Sequence, residues 1–341
     1  MNCFSCMAGH GCSLSLKSVS AYLLVALCMA IGMAGVCRAA PKPIIERLVP
    51  IPKNSGFKME GWFVWGGSVI KVGDTFHLFA SRWPEETGFP NGYRDHSQIV
   101  RATAKDPMGP YEFQEVVLAG RKGQWWDGKM CHNPKIVQSD DTYLLYYIGS
   151  AAGSGRRKCG YAWSKSVEGP WARCDESLPF GPDHNNPAPY VHEDGRILLA
   201  FRTGILRMHL AEADKFDGTY EIVARNITAR SEDPDLYRSD GTYHLTVSDC
   251  MRRITGIKKA CAHLVSQDGR HWEKHASPIV FTRTLQWDAG AKTEVQRRER
   301  AELFNANAKR KGNGEPTHLL TAVLADSKTW CQVQAIALPR K

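Results

Sequence analysis

The stretch Arg230 to Cys250, RSEDPDLYRSDGTYHLTVSDC, decides the fold. Its acidic pair, Glu232-Asp233, stands against Pro234, whose ring fixes the direction of the chain. Asp235-Leu236-Tyr237 alternates polar and apolar residues, Ser239-Asp240-Gly241 turns the chain, and Thr242 to Ser248 alternates again. An Asp-Gly turn between two alternating runs predicts a β-hairpin. Two carboxylates therefore stand at the hairpin's entrance.

The same unit occurs four more times. Gly66-Gly67-Ser68 precedes VIKVGDTFHLFASRW, His132-Asn133-Pro134 precedes KIVQSDDTYLLYYIG, and Asn185-Asn186-Pro187 precedes APYVHEDGRILLAFR. Glu299-Arg300-Ala301 precedes ELFNANAKRKGNGEPTHLLTAV. A third strand follows the first four units. In three of them it leads to a tight turn before an aromatic: Gly109-Pro110-Tyr111, Gly169-Pro170-Trp171 and Gly218-Thr219-Tyr220. Three or four strands per unit, repeated five times without helical periodicity, predict an all-β chain folded as a five-bladed β-propeller. Trp330 to Ile336 reads as a late strand of blade five. Ile44 to Ile51 (IIERLVPI) is expected to supply that blade's outermost strand and close the ring.

The ends and the composition narrow the function. Lys17, an apolar run from Ala21 to Val36 and the exit Cys37-Arg38-Ala39 have the pattern of a secretory signal peptide at residues 1–39. The apolar run is short for a membrane span. The remaining 302 residues, 40–341, read as one propeller domain with no linker or shift of composition. The whole chain carries +9, and the leader holds Lys17 and Arg38 and no acid, leaving +7. Export argues against nucleic acid as a partner and, once the leader is cleaved, against a membrane. A secreted or periplasmic location is expected, where a basic surface would steer an anionic substrate. Of 11 cysteines, six lie beyond the leader, without metal-ligand spacing. Cys250 and Cys261 could bridge neighbouring strands, or all six could be buried thiols.

In a propeller the residues just before the inner hairpins converge on the axis. Here they are Gly66-Gly67, His132-Asn133, Asn185-Asn186, Glu232-Asp233 and Glu299-Arg300, a polar ring with three carboxylates. Five x-[Asp/Asn]-Pro-like triplets in order at blade spacing resemble glycoside hydrolase family 43 and related five-bladed clans. The nearer likeness is to family-43-like secreted bacterial proteins, through His132-Asn133-Pro134, Asn186-Pro187-Ala188-Pro189, Glu232-Asp233-Pro234 and Pro316-Thr317-His318-Leu319, over roughly residues 55–340. The resemblance implies carboxylate acid/base hydrolysis of a glycosidic bond in an oligo- or polysaccharide, with inversion. It would also place a general-base Asp before the first-blade proline, where this chain has Trp65-Gly66-Gly67-Ser68. The fifth triplet, Glu299-Arg300-Ala301, lacks its proline. A non-catalytic carbohydrate-binding propeller is the alternative.

Glycoside hydrolysis needs two carboxyl groups flanking the scissile bond. Glu232 and Glu299, on neighbouring blades, are the expected pair, with Asp233 and Asp127 as further catalytic candidates. Arg298 or Arg300 is expected to hold one carboxylate ionised. His132, Asn133, Asn186, Trp65, Trp126, Asp249 and Arg298 are the candidate substrate contacts, the tryptophans because indoles pack on the apolar faces of sugars. Each also has a structural reading: Asp233 can cap a turn, Asp249 can pair with Arg252 or Arg253, and tryptophans can fill the wedges between blades. Arg82-Trp83-Pro84 is expected at the opposite end of its hairpin from the pocket. No redox cofactor and no catalytic metal are expected, though the axis could take a structural cation.

Overall fold

The computed structural model describes residues 42–339, so the expected leader lies outside the described residues. Five antiparallel sheets form the blades. Blade one comprises β1 (Trp62–Val72), β2 (Thr75–Pro84), β3 (Gln98–Ala104) and β4 (Glu112–Leu118). Blade two comprises β5 (Met130–Ser139), β6 (Thr142–Ser150), β7 (Lys158–Ser164) and β8 (Ala172–Arg173). Blade three comprises β9 (His184–Val191), β10 (Ile197–Thr203), β11 (Arg207–Ala213) and β12 (Glu221–Arg225). Blade four comprises β13 (Ser231–Ser239), β14 (Thr242–Asp249), β15 (Cys261–Ser266) and β16 (Glu273–Phe281). A separate hairpin, β17 (Thr284–Gln286) and β18 (Lys292–Glu294), precedes the three-stranded blade five of β19 (Arg297–Phe304), β20 (His318–Ala325) and β21 (Lys328–Ala335). The inner strands β1, β5, β9, β13 and β19 pack in sequence around the axis, and β19 meets β1 again.

The apolar core lies between blades rather than at the centre. Tyr146 and Tyr161 of blade two meet Phe201 of blade three, Leu198 and Leu210 of blade three meet Leu245 and Val247 of blade four, and Phe79 of blade one meets Ile136 and Tyr147 of blade two. Each inner strand thus buries both faces, one against each neighbouring blade, while outer strands such as β4 and β12 stay largely exposed.

Blade five closes differently from the sequence expectation. Ile44–Arg47 forms a one-turn helix, α1, not an outermost strand. The Arg47 guanidinium holds that turn by donating to the carbonyls of Lys42 and Ala337 and to Glu315. Beyond α1 the chain touches β21 and the residue after it in separate bridges: Leu48 opposite Ile336, and Phe57 exchanging both backbone hydrogen bonds with Cys331. All six cysteines among the described residues are free, so Cys250 and Cys261 form no bridge.

Every inner strand carries a β-bulge at the same level. The register shifts fall between Trp65 and Ser68, His132 and Lys135, Glu232 and Asp235, and Glu299 and Glu302, and in β9 opposite Ala200 and Arg202. The bulged residues are left-handed: Gly66 (φ 54°), Asn133 (53°), Asn186 (53°), Asp233 (57°) and Arg300 (59°). Gly, Asn and Asp tolerate this region best, which gives the triplets their physical meaning. The bulge turns these residues toward the axis.

Candidate active site

The bulges sort the axial side chains into three tiers. In the middle tier the Asn133 carboxamide donates to Asn186 Oδ1 at 3.0 Å, and Asn186 Nδ2 donates to Asp233 Oδ1 at 2.8 Å. Arg300 Nη1 reaches the same Asp233 oxygen at 3.3 Å, and Ser248 Oγ donates to Asp233 Oδ2 at 3.2 Å. Gly66 completes the ring with no side chain, because a Cβ there would stand 2.5 Å from Asn133 Oδ1. Asn133, Asn186 and Asp233, expected as site residues, are thus buried and hydrogen-bonded to one another, with Asn133 Oδ1 left without a partner.

The rear tier is a buried charge cluster that the sequence reading did not anticipate. Lys135 Nζ lies 2.6 Å from Asp235 Oδ1 and 3.1 Å from Glu302 Oε2. Lys311 Nζ, from the β19–β20 connection, lies 3.0 Å from Glu302 Oε1 and 2.6 Å from Ser68 Oγ. Backbone N–H groups of Val69 and Leu303 donate to Glu302 and Asp235. The axis, read as a place for a structural cation, holds the protein's own ammonium groups here. Among the described residues no cluster of three or more His, Cys, Asp or Glu side chains could hold a metal ion.

The front tier holds the two expected catalytic carboxyls. Glu232 and Glu299, one residue before the bulges of β13 and β19, share one cation: Lys259 Nζ contacts Glu232 Oε1 and lies 3.4 Å from Glu299 Oε1. Arg297 Nη1 stands 3.9 Å from the other Glu299 oxygen. Burial works to raise the pKa of both acids, with opposite outcomes. At Glu232 the Lys259 ammonium, helped by Arg202, outweighs burial and holds the carboxyl below its ordinary value. At Glu299, burial and the neighbouring Asp233 and Glu232 prevail over Lys259 and push the carboxyl up. Two carboxyls with pKa values driven apart have the division of roles that acid/base catalysis requires.

Lys259 went unread because it lies in the β14–β15 connection among basic residues that look like solvated surface. Asp249 positions it. The Asp249 carboxylate is buried and accepts the backbone N–H groups of Arg253, Ile254 and Thr255 at 2.8–2.9 Å, while its carbonyl accepts from Lys259 N at 2.8 Å. Asp249 therefore organises the loop instead of facing the pocket, and it pairs with backbone rather than with the side chains of Arg252 or Arg253.

Other expected contacts stand elsewhere. Asp127 is fully buried and held by Arg121 (2.6 Å), Arg173 (3.2 Å) and the Tyr147 hydroxyl (2.7 Å), so blade two's own ion pairs occupy it. Arg298 points away from Glu232 and Glu299, into the blade: it binds Gln334, Thr321 and the Thr284 carbonyl over the Phe281 ring. Trp126 packs on Tyr147 and donates to the Cys174 carbonyl within blade two, with an edge on a surface cavity beside Arg156 instead of on Glu232 and Glu299. His132 and Trp65 do reach the front tier, His132 stacked on Tyr93 with Nδ1 2.8 Å from Ser97 Oγ, and Trp65 against Phe89. Burial, with Arg300 and Arg157 nearby, lowers the His132 pKa well below its ordinary value, so the ring is neutral. Trp83 also lies at this end, 5.6 Å from the His132 ring, because the open end of the β1–β2 hairpin faces the pocket; the sequence reading had it reversed.

No protein-family model and no curated protein sequence matches the chain. Solved structures do. A family 117 glycoside hydrolase from the marine bacterium Zobellia galactanivorans superposes with a TM-score of 0.63 at 17% identity, over 84% of this chain and 88% of that one. An α-L-arabinofuranosidase from Podospora anserina in complex with cellotriose gives 0.63 at 13% identity, over 87% and 98%. A family 43 β-xylosidase/α-arabinofuranosidase from a compost microbial metagenome in complex with xylotriose gives 0.61 at 14%, over 85% and 96%. The fold is that of the five-bladed glycoside hydrolases. Residue roles rest on this chain's own geometry.

Proposed function

We propose that this protein is an exported, secreted or periplasmic glycoside hydrolase, with Glu232 as general base and Glu299 as general acid. The observation that carries the reading is the pair of carboxyls on adjacent inner strands, joined at Lys259 and driven to opposite pKa directions. Solved structures of the same fold bind xylotriose and cellotriose, which supports a carbohydrate substrate. Water attacks the anomeric carbon while Glu232 takes its proton. The bond from that carbon to the glycosidic oxygen breaks, and Glu299 gives its proton to the departing oxygen. Inversion is the outcome that the resemblance to family-43-like propellers implies, and the anomeric configuration of the first product decides it.

A second reading, a carbohydrate-binding propeller without turnover, draws on Gly66, which leaves blade one without a carboxylate in the ring. Screening the purified protein on aryl glycosides and oligosaccharides separates the two. The hydrolase reading expects turnover that falls by about 10²–10⁴ in kcat in both Glu232→Gln and Glu299→Gln, and a product of inverted anomeric configuration by NMR. Full turnover in both variants removes the acid/base assignment. Binding across the panel with no turnover establishes the second reading.

A further inference from the structure

Resting on the glycosidase reading of the same site, the structure assigns it a substrate class: we propose that the glycan is acidic, with a carboxylate or sulfate group seated beside the carboxylate pair. The charges around the front tier are unequal. Arg157, Arg202, Lys259, Arg297 and Arg300 surround it, against Glu232, Asp233 and Glu299, and Glu299 is the acid whose environment favours the neutral form. The carboxylates are also already engaged, Asp233 by Arg300 and Glu232 by Lys259.

The arginines, by contrast, have donors to spare. Arg300 is 3% exposed, and its Nε and Nη2 have no hydrogen-bond partner. Its single carboxylate partner is Asp233, and the neighbouring ring position that could supply a second is Gly66. Arg157 Nε and Arg202 Nε are likewise buried and unpartnered. A guanidinium donor left unmatched in a dry environment carries a desolvation cost that an incoming oxyanion offsets. Each such buried donor calls for a partner that the surrounding side chains do not supply.

The positive surface also extends outward along one path. Arg157 donates to the Tyr93 hydroxyl at 3.0 Å, and Tyr93 stacks on His132 at the rim. Arg157 lines a cavity of about 310 Å³ with Arg94, Lys129 and Tyr93, where Asp95 pairs with Lys129 and leaves the two arginines in excess. An adjoining cavity of about 410 Å³ shares Ser154 with it and is lined by Arg156 and Lys158, opposed by Asp175 and Glu176. The run Arg156-Arg157-Lys158 thus borders a groove leading away from the carboxylate pair. Further charged residues of an extended acidic chain would lie there.

The test uses matched probes and the intact protein. Oligogalacturonides are compared with their carboxyl-reduced forms, and sulfated galactan oligosaccharides with their desulfated forms, by calorimetric binding and by turnover. The charged member of at least one pair is expected to bind at least about tenfold more tightly, the worth of one charge-assisted hydrogen bond. The pair that responds distinguishes carboxylate from sulfate. Arg157→Gln and Arg202→Gln should each weaken binding of the charged member more than that of the neutral one, shrinking the preference, and Arg157→Lys, which keeps the charge, should restore part of it. Equal binding of both members in every pair, a preference for the neutral ones, or binding of none overturns the inference. Charge-selective binding without turnover sinks the hydrolase reading but not this one; turnover without charge selectivity does the reverse.

Discussion

A single ammonium, Lys259 Nζ, touches both carboxylates of the front tier, so removing it acts on both at once. It lowers the pKa of each, enough at Glu232 to overcome burial and not enough at Glu299. In the proposed mechanism the base is ionised and the acid protonated, so Glu232 would set the acidic limb of the profile and Glu299 the alkaline limb. In Lys259→Met both pKa values rise, and the whole bell of kcat/KM against pH, which reports the free protein, should move to higher pH. A profile that keeps its limbs, or narrows from one side only, would show that Lys259 does not govern both groups. Glu232, Glu299 and Asp233 were legible because each sits at a fixed offset from a repeated triplet. Asp127, Asp249 and Arg298 were misread because their roles depend on partners from Arg121 to Gln334 that no spacing reveals. Lys135, Asp235 and Glu302 did leave a signal: each stands two residues after its bulge residue, a position that is polar in four of the five repeats.

Among the elements, the hairpins were the easiest to read, since Asp140-Asp141, Asp240-Gly241 and their equivalents interrupt alternating runs. The bulges were visible as triplets but not as bulges, because a register shift belongs to two strands and the sequence shows one. The closing stretch failed for another reason. IIERLVPI has strand-like residues, yet Arg47 finds three acceptors by turning, and beyond that turn the chain meets the blade-five edge in isolated contacts at Leu48, Val49 and Phe57 rather than as a strand. The β14–β15 connection gives the clearest prediction at this scale. Asp249→Ala deprives three backbone N–H groups of their acceptor, a cost of roughly 1–3 kcal/mol if they stay buried, or less if the loop opens instead. Either way Lys259 loses its support. The variant should remain folded, lose kcat/KM, and shift its pH profile upward as Lys259→Met does. If Asp249→Ala keeps the parental pH profile, the loop does not depend on that carboxylate.

For the molecule as a whole, the axis is held polar from front to rear, and the apolar core is divided among the wedges between blades. The rear tier is where blades meet: Lys135 of blade two, Asp235 of blade four, and Ser68, Glu302 and Lys311 of blades one and five lie within one network. The loop carrying Lys311 also reaches blade three through Asn313 and the Tyr190 hydroxyl, and blade four through the backbone of Arg238. Burial alone would raise the Glu302 carboxyl, but Lys311 and Lys135 hold it at about 2. Its contribution to stability is therefore fully present above its ordinary value near 4.5 and fades as pH falls toward about 2. Glu302→Gln leaves Lys135 with Asp235 and leaves the buried Lys311 ammonium with no carboxylate contact. Breaking a buried pair in this way costs about 3–5 kcal/mol, expected as a fall in Tm of roughly 5–15 °C at neutral pH. Because the variant has no carboxyl to protonate there, its stability should also fall less steeply than the parent's between about pH 4.5 and 2. The two measurements are independent, since the first reads the ion pairs themselves and the second the proton they exclude. A variant that melts within about 2 °C of the parent and keeps its acid slope would mean that the blades are held by their apolar wedges, with the axial charges merely accommodated between them.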